Sequence, residues 1–274
     1  MDRGDSRFVD ALRWAGVGGS TALWGTLSLG SSLFDRTGAY QHFCMVEWSR
    51  ECLRVAGVTA KVSGLEHVLR DRPQIIFSNH SSFADICVLA AHLPVQFRWL
   101  AKRELFKVPF IGWHLARSGH LMIDRGDRES ATRLLARAAA KVRSGVNVLV
   151  FPEGTRSLDG SLQPFKKGVF HLAIDAGVPL LPIRLLGAHR ILPRGTRRLV
   201  PGEVEMRVGP PLDASGLTRD DLGALMERVR SAMIELGRGA GEGQAEGEWT
   251  ASGTEAGAGG NGHDRGVPAA SASA

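Results

Sequence analysis

Gln74-Ile75-Ile76-Phe77-Ser78-Asn79-His80-Ser81-Ser82-Phe83-Ala84-Asp85-Ile86-Cys87-Val88-Leu89-Ala90-Ala91 changes its periodicity part-way along. Gln74 to Phe77 is a short apolar run of strand type that gives way to polar residues, whereas Asp85 to Ala91 carries apolar residues at helical spacing. His80 therefore falls in a strand-to-helix turn. Inside one regular helix, five positions would set His80 and Asp85 about 140° apart and their side chains would diverge. With His80 in the turn and Asp85 in the first helical turn, the carboxylate can fold back onto the imidazole. Such a carboxylate fixes the tautomer and favours the protonated form, which suits a base that takes a proton from a hydroxyl. The competing reading of the same residues is a capping box, with Ser82 at the N-cap, Asp85 three residues later and His80 facing solvent.

Downstream, Val146-Asn147-Val148-Leu149-Val150 reads as a buried strand that runs directly into Phe151-Pro152-Glu153-Gly154-Thr155-Arg156-Ser157. This is a turn at a strand's carboxyl end, where open α/β sheets hold ligands. Gly154 allows close backbone approach, and Arg156 offers a planar fork suited to phosphate. The plainer alternative is a surface turn with Glu153 paired to Arg156. Strand-like runs at residues 97–100, 121–123, 147–151, 180–185 and 204–208 alternate with helix-like stretches, the clearest at 130–143 and 220–236. The alternation points to an α/β class. In the last helix Leu222, Leu225, Val229, Met233 and Leu236 form an apolar stripe that reads as core.

Taken in order, these runs resemble the glycerolipid acyltransferase family that includes 1-acylglycerol-3-phosphate acyltransferases. Asn79 to Asp85 matches its His-x4-Asp motif, and Lys102-Arg103-Glu104-Leu105-Phe106-Lys107-Val108-Pro109-Phe110-Ile111-Gly112 matches its Lys-x-Glu-Leu…Pro…Gly block. Gly119 to Arg125, Phe151 to Ser157, Phe165-Lys166-Lys167-Gly168 and Val178 to Ile183 fit the remaining blocks. The resemblance spans roughly residues 60–210. It implies a single glycerol-3-phosphate acyltransferase-like domain, a mixed sheet flanked by helices, preceded by membrane-docking helices. It also implies acyl transfer from a thioester on acyl carrier protein or coenzyme A to a free hydroxyl of a glycerolipid. His80 is then the general base, Asp85 its orienter, and Lys102, Arg125, Glu153, Gly154, Thr155 and Arg156 the substrate-binding set. Lysophosphatidic acid is the expected acceptor. Glycerol 3-phosphate, other lysophospholipids and lyso-ornithine lipid stay open as alternatives, as does a thioesterase that activates water.

The chemistry agrees with the resemblance. An alcohol is a poor nucleophile until a base of near-neutral pKa takes its proton, and histidine is the side chain matched to that task. Backbone amides at the start of the helix after His80, or in the Gly154 turn, are candidate donors to the oxyanion. Ser81 and Ser82 lack a Gly-x-Ser-x-Gly elbow, which argues against a serine hydrolase. His92, His114, His120, His171 and His189 show no metal-ligand spacing. No cofactor beyond the thioester co-substrate is expected.

The domain reading is a membrane-associating helical segment at 1–58, a catalytic domain at 59–236 and a disordered Gly/Ala/Ser-rich tail at 237–274. Residues 14–34 hold no charge, yet five glycines and six serines or threonines make the stretch weakly hydrophobic for a span. A helix lying in the headgroup region, gathering Trp14, Val17, Leu23, Trp24, Leu27 and Phe34 on one side, fits better. A second helix is expected over 42–55. The formal net charge of +6 is concentrated where Arg184, Arg190, Arg194, Arg197 and Arg198 run without an acid, a patch that would attract anionic headgroups or acidic acyl carrier protein. No nucleic-acid motif accompanies it. Three cysteines without a framework and no secretory signal suggest the cytoplasmic side of the cell membrane.

Overall fold

Strand β2 (Ile75–Ser78) lies in the middle of a seven-stranded sheet, and that position explains why its apolar run is unbroken rather than alternating. The computed structural model describes residues 3–123 and 128–239. The other strands are β1 (Val58–Ser63), β3 (Phe97–Lys102), β4 (Leu121–Ile123), β5 (Asn147–Val150), β6 (Leu180–Leu186) and β7 (Gly202–Val208). Their order across the sheet is β1-β7-β6-β2-β5-β3-β4. All neighbours are parallel except β6 and β7, so the sheet is mixed. The strands run close to the stretches read from sequence. The addition is β1, an edge strand whose polar Thr59, Lys61 and Ser63 alternate with Val58, Ala60 and Val62, giving no continuous apolar signal.

The helices are α1 (Arg3–Ser31), α2 (Ala39–Ala56), α3 (Ala84–His92), α4 (Ile111–Arg117), α5 (Arg128–Arg143), α6 (Lys167–Ala176), α7 (Ala188–Ile191) and α8 (Leu222–Gly237). Two cores form, one on each face of the sheet. Ile76 and Leu149 join Val88 and Leu89 of α3 and Met45 and Leu53 of α2. Their strand neighbours Ile75, Phe77, Val148 and Val150 turn the other way, onto Ala138 and Val142 of α5, Phe170 of α6 and Val229 of α8. The period-two alternation thus survives in the direction of side chains, although every residue is apolar. A buried phenylalanine such as Phe77 contributes about 3–5 kcal/mol when truncation to alanine is the measure.

Helix α1 packs on α2 and α4. Gly25 makes the second contact possible, since a Cβ there would lie 2.6 Å from the Phe110 Cβ. The side expected for α1 needs correction. At about 100° per residue, Val17 and Trp24 share one direction while Phe8, Leu12, Leu23 and Leu27 share another. Val17 packs on the core and Trp24 Nε1 donates to Glu51 of α2 at 2.8 Å. Phe8, Leu12, Leu23 and Leu27 are exposed by 67, 57, 54 and 41% and form the free apolar stripe. Phe34, 88% exposed, follows the end of the helix. Among the described residues no helix is long and apolar enough to cross a membrane.

A second correction concerns the basic stretch. Arg184 belongs to β6, where both faces of the strand are covered, and is 5% exposed with Nη2 donating to the Gly160 carbonyl. The exposed members are Arg190, Arg194, Arg197 and Arg198. The expected tail lies, from residue 240, outside the described residues, and so does Arg125.

Candidate active site

Beyond Ser78 a side chain takes over from the backbone ladder of β2. Asn79 Nδ2 donates to the Leu185 carbonyl at 2.9 Å, and the Leu185 amide donates to Asn79 Oδ1 at 2.7 Å. The last backbone pairing of β2 with β6 is Ser78 with Ile183. The amide side chain therefore extends the attachment one step and fixes where His80 leaves the sheet.

Asp85 stands in the first turn of α3 and is 0% exposed. A single oxygen, Oδ2, meets His80 Nδ1 at 2.8 Å and accepts from the amides of Ser81 and Ser82 at 2.6 and 2.7 Å. Nδ1 is accordingly the protonated ring nitrogen, which leaves Nε2 with the lone pair that can accept a proton. The two readings of Asp85 merge: it closes the turn ahead of the helix by holding two amides, and with the same oxygen it orients the imidazole. The Ser82 hydroxyl accepts from the Ala84 amide at 3.3 Å.

The ring is held from its face as well. His80 stacks on Phe151 with centroids 4.1 Å apart and planes inclined by 14°, and Phe151 in turn stacks on Trp99 of β3 at 5.8 Å. The Ser157 amide donates to the His80 carbonyl at 2.8 Å. Backbone and side chain together bind the turn after β5 to the turn after β2, which are neighbours because the two strands pair. Gly154, at φ 70°, occupies the left-handed region in which a side chain would be strained.

Glu153 points inward, 1% exposed, and its carboxyl oxygens have no hydrogen-bond partner among the described residues, so the plain-turn pairing with Arg156 is not formed. Burial pushes its pKa up to about 9, against the opposing charge of Arg184. The folded chain thus keeps a proton that the unfolded chain releases above about 4.5, and stability should fall as pH rises from there toward 9. Glu153→Gln is expected to flatten this slope in melting temperatures recorded between pH 5 and 9. An unchanged slope would mean that Glu153 is ionised in the fold.

Arg156 lies over the Phe83 ring, its guanidinium carbon 4.2 Å from the centroid. Thr155 is exposed and Gly154 buried. Lys102 is the exposed last residue of β3, two strands from β2 and about 10 Å away across the same carboxyl edge by sheet spacing. Lys166 and Lys167 are exposed at the start of α6. The Asn79 brace and the Phe151–Trp99 stack are not evident from the sequence. Asn79 and Phe151 each directly follow the last residue of their strand, and Trp99 lies within β3, so position is their main linear signal. Among the described residues no three or more His, Cys, Asp or Glu side chains are grouped so as to hold a metal ion.

The strand-to-helix turn thus carries an oriented histidine at the carboxyl edge of a mainly parallel sheet, beside a glycine turn with an arginine. The family model described as Acyltransferase matches residues 59–186. The human 1-acyl-sn-glycerol-3-phosphate acyltransferase alpha is 36% identical over 194 residues, covering 68% of this chain and 69% of that protein. The chloroplastic enzyme BAT2 of Brassica napus is 37% identical over 186 residues, covering 67% and 54%. The crystal structure of the 1-acyl-sn-glycerophosphate (LPA) acyltransferase PlsC of Thermotoga maritima superposes with a TM-score of 0.75 at 25% identity, covering 86% of this chain and 97% of that one. The chain belongs to this acyltransferase family, and it is an acyltransferase.

Proposed function

We propose that the enzyme transfers an acyl chain from a thioester of acyl carrier protein or coenzyme A to the free hydroxyl of lysophosphatidic acid, giving phosphatidic acid. The observation that carries the reading is the Nδ1 contact of His80 to a fully buried carboxylate, which leaves Nε2 as a base on the site's open side. Nε2 takes the acceptor's hydroxyl proton as its oxygen attacks the thioester carbon. Asp85 stabilises the imidazolium, and collapse of the tetrahedral intermediate expels the thiolate, which receives the same proton. The amides of Ser81 and Ser82 are already committed to Asp85. The oxyanion therefore falls to the turn amides of Thr155 and Arg156. Lys102, Arg125 and Arg156 supply the positive charge for the acceptor's phosphate, which carries about −1.5 to −2 at neutral pH.

The acceptor is a membrane lipid, and the stripe of Phe8, Leu12, Leu23 and Leu27, with Phe34 beyond it, fits a helix laid in the headgroup region on the cytoplasmic side. Burying each such side chain contributes about 1.5–3 kcal/mol. The double variant Leu12→Glu/Leu23→Glu should lose most of its sedimentation with anionic vesicles while keeping its melting temperature, because neither side chain is in the core. Retained sedimentation would remove α1 from the docking surface.

Offering lysophosphatidic acid, glycerol 3-phosphate and lyso-ornithine lipid against both donors, with products resolved by mass spectrometry, tests substrate identity. Phosphatidic acid as the main product is expected. A different acylated lipid would overturn the acceptor, and free fatty acid formed without any acceptor would make the enzyme a thioesterase.

A further inference from the structure

The segment after α7 is anchored on two sides. Toward the active site, the Ser82 hydroxyl donates to the Leu192 carbonyl at 3.3 Å and Arg194 Nη1 donates to the Arg156 carbonyl at 3.0 Å. Toward α1, Trp14 Nε1 donates to the Arg197 carbonyl at 2.6 Å and Arg13 Nη1 to the Leu199 carbonyl at 2.8 Å. Within the loop, the Val200 amide returns to the Ile191 carbonyl at 2.8 Å. An exposed arginine on a free loop samples many rotamers, but Arg194 is carried on a braced one and is held by its own contact to the glycine turn.

Its surroundings lack the usual counter-ion. Arg194 touches the backbone of the residue whose guanidinium lies over Phe83, and no acidic residue occurs between Arg184 and Val200. Among the described residues neither Arg156 nor Arg194 forms an ion pair with a carboxylate, and Asp85, the buried carboxylate of the site, is engaged with His80. Burial first, and the charge of Arg194 second, hold the Arg156 guanidinium below the ordinary arginine range. The charge of Asp85 opposes this, but it makes no ion-pair contact with either arginine. Two like charges kept together without a directly paired carboxylate are an arrangement that a dianion completes, and planar forks match phosphate oxygens in pairs. Arg190, Arg197 and Arg198 share the exposed stretch, but Arg194 is the one of the four with a contact to the Gly154 turn.

We propose that Arg194 is a second guanidinium arm on the acceptor's phosphate monoester, acting beside Arg156 and brought there by the loop that Trp14 and Arg13 tie to α1. This deepens the reading given under Proposed function and rests on it for the identity of the monoester. The bracing also means that the segment docked through α1 and the acceptor site share one mechanical link.

Binding of n-hexyl phosphate to the full-length protein, measured by titration calorimetry without a donor, tests the site independently of turnover. Arg194→Ala should raise its Kd about tenfold, as loss of one charge-assisted contact implies, and Arg194→Lys should recover part of that loss. In turnover the acceptor KM should rise with it while the donor KM stays constant, a split that a merely structural role would not give. Arg194→Gln serves as the neutral variant if alanine disturbs the loop. An unchanged Kd in a folded neutral variant, no binding by the wild type, or donor and acceptor KM rising together would overturn the assignment. A wild type that binds hexyl phosphate through Arg194 yet fails to acylate lysophosphatidic acid would uphold this arm and refute the acceptor.

Discussion

His80→Ala is expected to lower kcat by about 10²–10⁴-fold, the range associated with a positioned general base, with both KM values little changed. The expectation follows from what remains once the imidazole is gone. The Asn79 brace to Leu185 and the capping of Ser81 and Ser82 by Asp85 do not involve the ring, so the turn after β2 should persist, and so should the proposed oxyanion donors Thr155 and Arg156 in the turn after β5. Substrates would still bind while the hydroxyl keeps its proton. The ring also covers Phe151, so a modest loss of melting temperature should accompany the loss of rate. His80→Gln, which refills the space over Phe151 without restoring a base, should recover stability and leave kcat low. Recovery of kcat in the glutamine variant would show that the ring acts by packing alone.

Asp85 offers the second large effect, and here two substitutions separate orientation from structure. Asp85→Asn can keep an acceptor oxygen toward Ser81, Ser82 and His80, but it removes the charge that stabilises the imidazolium, and kcat should again fall by about 10²–10⁴-fold. Asp85→Ala removes the acceptor as well, leaving the Ser81 and Ser82 amides without a partner at a cost of about 1–3 kcal/mol each. The alanine variant should therefore lose catalysis and also melt well below the asparagine variant, as differential scanning calorimetry would record. Equal melting temperatures would mean that the two amides find other partners and that Asp85 serves only the histidine.

The parts legible in the sequence were those whose cause is local. The apolar run of β2, the helical spacing of α3 and the resulting turn put His80 and Asp85 together, since their geometry depends on a dozen consecutive residues. The turn at 151–157 was readable for the same reason, as a strand run followed by Pro152 and Gly154. Contacts between distant segments left little trace. Asn79 reads as one polar residue among several until β6 is known to lie beside it. Arg184 and Arg194 look alike in a basic stretch, yet strand pairing buries the first and a loop presents the second. Glu153 reads as a turn carboxylate, and only the packing of the turn under His80 reveals it as buried. On α1 the charge-free stretch was evident, but which of its apolar residues faced outward depended on where α2 packs.

The proposed role of His80 is to drive transfer of an acyl group to a lysophosphatidic acid hydroxyl. Its most direct test is the rate of labelled phosphatidic acid formation from an acyl thioester and lysophosphatidic acid in vesicles, compared between wild type and His80→Ala by mass spectrometry. Phosphatidic acid is expected from the wild type, and a rate lower by about 10²–10⁴-fold from the variant. Equal rates from the two proteins, or thioester consumed by the wild type without any phosphatidic acid, would contradict it.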